Sequence, residues 1–325
     1  MDIDDLAARV MAGERRALAR AITLVESSRT DHRTEASTLI DAVSHSGRQA
    51  LRIGLSGTPG VGKSTFIEAF GVFLVEHGLR VAVLAVDPSS ARSGGSILGD
   101  KTRMERLART DGTFIRPSPS RTQLGGVARR TREAVTLCEA AGFDVVLIET
   151  VGVGQSETMV AGMADLFLLL IAPAGGDELQ GVKRGIMEMA DLILVNKADG
   201  PLLETANRTC ADYAGALRLL RKRPQDPDGY PKVMKVSALT LEGLPEAWEA
   251  MTELAEWRKA HGVWDDTRAQ QARAWFEDDL RHAVLARLEQ DKEIRALVDS
   301  LGTEVAKGAT SPAAAADQVL AALDV

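Results

Sequence analysis

A glycine-rich stretch between an apolar segment and a helix-like segment is the part of the sequence best suited to chemistry. Within residues 51–65 (LRIGLSGTPGVGKST), the spacing of Gly57, Gly62, Lys63 and Ser64 matches the phosphate-loop pattern G-x-x-x-x-G-K-[ST]. Glycines allow backbone N–H groups to close around phosphate oxygens, and the positive end of the following helix attracts the anion. Lys63 would reach the β- and γ-phosphates, and the Ser64 hydroxyl would bind Mg²⁺.

A chance glycine turn is the alternative interpretation of this loop. The apolar segment before it and the helix-like segment after it are what a phosphate loop requires, so nucleotide binding is the better interpretation. The residues that we expect to contact the nucleotide here are Gly57, Pro59, Gly60, Val61, Gly62, Lys63, Ser64 and Thr65.

The fold that must position this loop can be inferred from the alternation of segments after it. From residue 51 to about 239, strand-like and helix-like segments alternate, which predicts an α/β fold of the doubly wound P-loop NTPase type with a mostly parallel sheet. Such sheets bind ligands at the carboxyl ends of their strands. The strand candidates are residues 52–55, 81–86, 113–116, 144–148, 166–172, 192–196 and 233–236.

Three carboxylates could reach a metal ion beside the phosphate loop. Asp87 directly follows the second strand candidate, Glu149 ends an apolar strand in DVVLIETVGVG, and Asp100 lies in the glycine-rich segment SGGSILGDKTRM. Carboxylates so placed can hold Mg²⁺ or its water shell, and the N–H of Gly152 could reach the γ-phosphate. The alternatives are an Asp-Pro turn at Asp87, an ordinary solvated loop around Asp100 and a surface glutamate at position 149.

A second set of residues could read the nucleotide base. Asn196, Lys197 and Asp199 (NKAD) follow another buried strand candidate. The Asp199 carboxylate can accept hydrogen bonds from the N1–H and the exocyclic amine of guanine, whereas adenine would leave that carboxylate unpaired, which is costly. A charged loop explains the tetrad equally well in isolation, but together with the phosphate loop it predicts GTP or GDP as the ligand. Backbone contacts to the base would come from Ser237, Ala238 and Leu239.

A polar, glycine-rich loop (PAGGDELQGVK, residues 173–183) follows the apolar strand candidate LFLLLIA. Nucleotide binding does not require such a loop, so its polar side chains could instead contact a partner or respond to the nucleotide. An ordinary solvated loop is an equally good interpretation from the residues alone. The side chains concerned are Asp177, Glu178, Gln180 and Lys183.

The composition narrows the class of protein. A net charge of −7 argues against a general nucleic-acid or anionic-membrane surface. The two cysteines, Cys138 and Cys210, offer no disulfide framework. The acidic N-terminus resembles neither a secretory signal nor a transit peptide, and the apolar run 166–172 is too short to span a bilayer. We therefore expect a cytoplasmic protein.

Helical segments flank the predicted sheet domain. Residues 1–48 are expected to form a helical extension of three helices, with Asp31 as the N-cap of the third. Residues 49–262 would form the nucleotide-binding domain. Residues 263–325 carry two apolar helical stripes and a helix start at Ser311-Pro312. This last segment could be an oligomerisation arm or could simply pack on its own chain.

Several of these segments together resemble the MeaB-like (ArgK/MMAA) GTPases. The resemblance lies in SGTPGVGKST, VDPSSARSGGSILGDKTRM, LIETVGVGQSE, GDELQGVKRGIMEMADLILVNKAD and SAL, and runs from about residue 51 to residue 239. It implies a homodimeric GTPase that binds adenosylcobalamin-dependent methylmalonyl-CoA mutase, gates cofactor loading and protects the mutase from inactivation.

The resemblance also implies roles for individual residues. Lys63 and Ser64 would serve phosphate and Mg²⁺. The metal shell would include Asp87, Asp100 and Glu149, and the guanine site Asn196, Lys197 and Asp199. Residues 176–183 would form a nucleotide-responsive switch that faces the mutase, and residues 263–325 a dimerisation arm.

Two other functions remain open from the sequence. One is a P-loop kinase that phosphorylates a transport protein, although the guanine tetrad argues against a kinase that uses ATP. The other is a GTPase that inserts a metallocentre such as nickel, although the sequence has no Cys/His cluster typical of such a role.

Overall fold

The computed structural model describes residues 2–27, 29–86, 104–117, 124–150, 156–173, 184–220, 223 and 225–322. Some of the residues singled out from the sequence fall outside these ranges, so their predicted roles stay predictions. They are Asp87, Asp100, Gly152, Asp177, Glu178, Gln180 and Lys183.

Seven strands of the described chain form one sheet, and every pairing is parallel. This confirms the predicted α/β class. Because helices cover both faces, the strands at residues 81–86, 166–171 and 192–195 are apolar along their whole length rather than alternating. The strands are β1 (Leu51–Gly57), β2 (Val81–Val86), β3 (Thr113–Arg116), β4 (Val145–Thr150), β5 (Leu166–Ile171), β6 (Leu192–Val195) and β7 (Lys232–Lys235). Their order across the sheet is β3-β2-β4-β1-β5-β6-β7.

Helices connect and flank these strands. Those before and within the sheet region are α1 (Ile3–Met11), α2 (Arg15–Glu26), α3 (Thr30–Ser44), α4 (Lys63–Glu76), α5 (Glu105–Arg109), α6 (Leu124–Ala140), α7 (Ser156–Ala161), α8 (Arg184–Met189) and α9 (Leu203–Arg218). Those after it are α10 (Leu244–Ala260), α11 (Val263–Gln290), α12 (Lys292–Ala306) and α13 (Pro312–Ala321).

The N-terminal region forms the three expected helices, and the apolar side chains of Leu18, Ile22 and Val25 on α2 are buried. Two ion pairs, Arg116–Glu26 and Arg33–Glu133, join α2 to β3 and α3 to α6. The N-cap prediction was wrong, because α3 begins at Thr30 and Asp31 lies inside its first turn. The Asp31 carboxylate instead accepts hydrogen bonds from the Arg29 guanidinium, which lowers the pKa of Asp31 to about 2.

Aspartates close the amino edge of the sheet. Each precedes a strand and accepts a hydrogen bond from a backbone N–H at the start of the neighbouring strand, so these N–H groups are satisfied away from the carboxyl edge. The pairs are Arg80 N to Asp144 Oδ2 (2.7 Å), Arg52 N to Asp165 Oδ2 (2.8 Å) and Phe167 N to Asp191 Oδ2 (2.7 Å).

The chain divides into two compact units, Met1–Ala269 and Gln270–Val325. The first turns of α11 belong to the first unit, where the Arg268 guanidinium donates to Asp165 Oδ1 at 2.8 Å. In the second unit, Phe276 is 66% exposed, and α13 begins where Ser311-Pro312 predicts, with Ser311 Oγ accepting from Ala314 N. The predicted three-part division at residues 48 and 262 stays a prediction.

No helix in the part of the chain that the structure describes is both long and apolar enough to cross a membrane.

Gly54 allows α7 to approach β1 closely. A Cβ at this position would lie 2.8 Å from Val160 Cγ1, so we expect Gly54→Ala to lower the free energy of unfolding by about 1–3 kcal/mol through overpacking. Gly215, inside α9, has open space around it, and Gly215→Ala should raise stability by roughly 0.5–1 kcal/mol. Urea unfolding of both variants measures this contrast, and equal effects would contradict the close packing.

Candidate nucleotide-binding site

The phosphate loop joins β1 to α4 in a conformation that requires glycine at two positions. A Cβ at Gly57 would lie 2.4 Å from the carbonyl oxygen of Leu170 in the neighbouring strand β5. Gly62 has a φ of +91°, in the left-handed region, and a Cβ there would lie 2.9 Å from Asn196 Nδ2. Both glycines of the motif are thus explained by local geometry, which keeps the backbone of the loop accessible.

The amino end of α4 presents backbone donors at the carboxyl edge of the sheet. No side chain of the described residues caps this helix, and its first main-chain bond runs from Phe66 N to Gly62 O. The N–H groups of Lys63, Ser64 and Thr65 therefore have no acceptor within the helix. Together with the helix dipole, they form an electropositive cradle for phosphate oxygens.

Lys63 lies folded back on this loop. Its Nζ donates to the carbonyl oxygens of Gly57 at 2.6 Å and Thr58 at 3.4 Å. Burial lowers the pKa of Lys63, while the negative charges of Glu149 and Glu157 oppose that shift. The ammonium group is therefore held beside the loop by neutral backbone acceptors, which negatively charged phosphate oxygens can replace.

Glu149 ends β4 next to the phosphate loop. It is buried and lies in register with Leu55 of β1 on one side and Ala85 of β2 on the other. The following residue, Thr150, donates from its hydroxyl to the carbonyl oxygen of Leu55 at 3.3 Å, which fixes the end of β4 against β1. The predicted metal-shell carboxylate and the Ser64 hydroxyl are thus carried by elements that meet at this edge.

Asn196 joins the predicted base-reading loop to the phosphate loop. This side chain is 1% exposed; its Nδ2 donates to Val61 O at 3.0 Å, and its Oδ1 accepts from Ala238 N at 3.2 Å. Lys197, with a φ of +58°, donates from Nζ to Gly60 O at 2.7 Å. The structure therefore brings the two motifs, separated by more than 130 residues, into direct contact.

Asp199 is held by Ser237, which follows β7. The Ser237 hydroxyl donates to Asp199 Oδ2 and accepts from the N–H groups of Leu239 and Thr240. The Leu239 side chain is 79% exposed at the rim of this loop. The Ala238 N–H, which we expected to contact the base, is used by Asn196 in this structure.

Sequence reasoning did not single out Glu157. This carboxylate belongs to α7, is 1% exposed and acts electrostatically on Lys63. One available signal was helical spacing, since Glu157 lies three residues before the buried Val160 and so shares its face.

Comparisons with known proteins agree with this geometry. The family model described as methylmalonyl Co-A mutase-associated GTPase MeaB matches residues 18–293. A mouse protein named methylmalonic aciduria type A homolog, mitochondrial, is 48% identical over 330 residues, which cover 98% of this chain and 79% of its own length.

Two further relatives extend the comparison. The Escherichia coli (strain K12) protein named GTPase ArgK is 49% identical over 280 residues, 86% of this chain and 84% of its own. A crystal structure titled LAO/AO transport system kinase superposes with a TM-score of 0.76 at 38% identity and covers 99% of this chain and 98% of its own.

The parallel sheet, the phosphate loop and the adjoining base-reading loop define a P-loop GTPase. Since the family model matches most of the chain, this GTPase belongs to the MeaB family of methylmalonyl-CoA mutase-associated GTPases.

Replacing Asn196 should loosen both loops. Asn196→Ala leaves the Val61 carbonyl and the Ala238 N–H without their partner, so we expect a loss of about 1–3 kcal/mol in unfolding free energy and weaker GDP binding. The matched control is Asn207→Ala, at an exposed residue whose Oδ1 accepts from Lys235 Nζ. This variant should change the unfolding free energy and the GDP affinity little. Urea unfolding and calorimetric GDP titration test this; unchanged GDP affinity in a folded Asn196→Ala variant would contradict the assigned role.

Proposed function

We propose that this GTPase is a nucleotide-switched chaperone of an adenosylcobalamin-dependent methylmalonyl-CoA mutase. It would gate loading of the cobalamin cofactor and protect the mutase from inactivation. The observation that carries the proposal is the joining of phosphate loop and base-reading loop through Asn196, in a chain whose family description names the mutase. The name of the mouse relative, which refers to methylmalonic aciduria, supports the same metabolic setting.

The donor set beside the phosphate loop suits Mg²⁺. The Ser64 hydroxyl and the Glu149 carboxylate are hard oxygen donors, which Mg²⁺ prefers, and the nucleotide phosphates would supply further oxygens. Asp87 and Asp100 are the other proposed members of the metal shell and lie outside the described residues. When bound, Mg²⁺ neutralises charge on the phosphates.

The chain's own groups stabilise the charge that develops during phosphoryl transfer to water. Lys63 and the N–H groups at the start of α4 would bind the β- and γ-phosphates, and Gly152 would sense the γ-phosphate. No arginine is marked by its spacing as an arginine finger in cis. We therefore expect slow intrinsic hydrolysis that the mutase accelerates.

The loop that follows β5 is the proposed contact with the mutase. Asp177, Glu178, Gln180 and Lys183 would change their interactions between the GTP and GDP states. The loop leads directly into α8, which packs beside α7 and β5. A nucleotide-dependent change near α7 therefore has a short physical route to this loop.

We also propose that the protein is a cytoplasmic homodimer. The second unit exposes large apolar side chains on α11, which a second copy could cover. These side chains are Phe276, Leu280, Val284 and Leu285. Both cysteines, Cys138 and Cys210, are free thiols, as suits a reducing compartment.

Asp199 should determine base specificity. In Asp199→Asn, the amide can no longer accept two hydrogen bonds from guanine, but it can donate to the 2-carbonyl of xanthine and accept from its N1–H. We expect GDP affinity to fall at least about 30-fold and xanthosine diphosphate affinity to rise, since buried unpaired groups cost roughly 2 kcal/mol or more. Competition titration measures both, and Asp212→Asn, an exposed residue of α9, is the control. Retained GDP preference in Asp199→Asn would contradict the base assignment.

Association with the mutase should depend on the nucleotide. The purified GTPase, mixed with a B12-dependent methylmalonyl-CoA mutase, should form complexes that differ in stability between GDP and a non-hydrolysable GTP analogue. Size-exclusion chromatography with light scattering measures the complex, and should give the free GTPase twice the 34.8 kDa mass of one chain. Hydrolysis that is fast alone and unchanged by the mutase, or no complex in either state, would contradict the proposal.

The kinase alternative is separated from this proposal by the fate of the γ-phosphate. With labelled GTP, the chaperone proposal predicts inorganic phosphate in solution, whereas phosphate on a protein acceptor would favour a kinase.

A further inference from the structure

Helix α7 is fixed against β1 by close packing. A Cβ on Gly54 would lie 2.8 Å from Val160 Cγ1 and 3.1 Å from Ala164 Cβ, so β1 and the α7 segment approach more closely than a larger residue would permit. Val160 and Glu157 share one face of α7, because they are three residues apart. Because Val160 packs against β1, the Glu157 side chain on the same face of α7 also faces the sheet.

The direction of α7 determines how near Glu157 lies to the carboxyl edge of the sheet. This helix follows the carboxyl end of β4 and leads toward the amino end of β5, so its first residues lie near the carboxyl edge, where β1 runs into the phosphate loop. Glu157 is therefore nearer to that loop than Val160 is. With 1% of its surface exposed, the carboxylate lies in a medium that screens charge poorly.

Lys63 is the cation on which this buried carboxylate acts. The negative charges of Glu149 and Glu157 both attract the Lys63 ammonium group. Lys197 also contacts the loop, from the side of β6, where its Nζ donates to Gly60 O. Two buried carboxylates therefore attract the one ammonium group that the triphosphate also needs.

Ser56 provides a polar group at the same level. Side chains alternate along a strand, so Ser56 lies on the same face of β1 as Gly54, about 7 Å nearer to the phosphate loop. It is fully buried, and its hydroxyl has no hydrogen-bond partner among the residues that the structure describes. Buried hydroxyl groups are usually hydrogen-bonded, so the Ser56 hydroxyl is a donor that could serve a neighbouring acceptor at this level of the sheet.

We propose that Glu157 is a positioning residue that favours the nucleotide-free state: its carboxylate competes with the nucleotide phosphates for the Lys63 ammonium group and so keeps bound GDP exchangeable. When nucleotide binds, Lys63 moves its hydrogen bonds from Gly57 O to the phosphates. Glu157 then remains as a buried negative charge close to the phosphates, with the Ser56 hydroxyl available as its new donor. The proposal rests on the proposed role of Lys63 in phosphate binding.

The test is the affinity and release rate of GDP in the full-length protein with Mg²⁺. Glu157→Gln removes the competing charge with little change of shape, so GDP should bind about 3- to 30-fold more tightly and a fluorescent GDP analogue should dissociate correspondingly more slowly. Glu157→Asp keeps the charge and should stay within about twofold of the wild type. Glu204→Gln, at an exposed position of α9, is the matched control for charge removal.

Tighter binding distinguishes this role from a merely structural one, because a damaged site binds GDP more weakly. A folded Glu157→Gln variant with unchanged or weaker GDP affinity overturns the proposal. If thermal unfolding shows that Glu157→Gln does not fold, Ser56→Ala decides: loss of the donor for Glu157 should weaken GDP binding about threefold, and unchanged affinity overturns the proposal.

Lys63→Ala separates this proposal from the site assignment beneath it. The single variant Lys63→Ala should lose most of the affinity for GDP. If GDP affinity is instead retained, the phosphate-loop assignment itself is wrong. If it is lost while folded Glu157→Gln behaves as the wild type, only the competition between Glu157 and phosphate is wrong.

Discussion

The interaction on which the site depends is the pair of hydrogen bonds made by the Asn196 side chain. It holds the loop after β6 against the loop after β1, although β5 lies between these strands. The strands β1 and β6 are two strand spacings, roughly 10 Å, apart, and the Asn196 side chain bridges the loops that follow them. Because Asn196 is buried, the hydrogen bonds of its side-chain amide are strong and fix the distance between the two loops. Base recognition and phosphate binding are thereby parts of one rigid frame.

The two edges of the sheet are chemically different, and this difference confines ligand binding to one of them. At the amino edge, Asp144, Asp165 and Asp191 satisfy backbone N–H groups, and the last two also pair with Arg268 and Arg258. At the carboxyl edge, the amino end of α4 has no side-chain cap. Free N–H groups are therefore concentrated where the phosphates are expected.

Sequence patterns were sufficient for those features that depend on local chemistry. The long apolar runs that form β2 and β5 could be found because strands buried on both faces lack polar positions. Gly57 and Gly62 could be found because their spacing reflects backbone geometry that other residues do not adopt. The helix start at Ser311-Pro312 could be found because a serine N-cap followed by proline at the first helical position is a local signal.

Features that depend on tertiary contacts could not be predicted in this way. Asp31 has the composition of an N-cap, but its ion pair with Arg29 and the start of α3 at Thr30 override that preference. Glu157 resembles a surface glutamate in the sequence; only the seating of Val160 on Gly54, more than 100 residues away, buries it near Lys63.

The most direct test of the central claim is a calorimetric comparison of GDP and ADP binding to the wild-type protein in the presence of Mg²⁺. A frame that joins the phosphate cradle to Asp199 predicts GDP binding at least about 100-fold tighter than ADP, since adenine leaves the carboxylate unpaired. Equal affinity for the two nucleotides would contradict the account, because the phosphate loop would then bind without the base-reading loop.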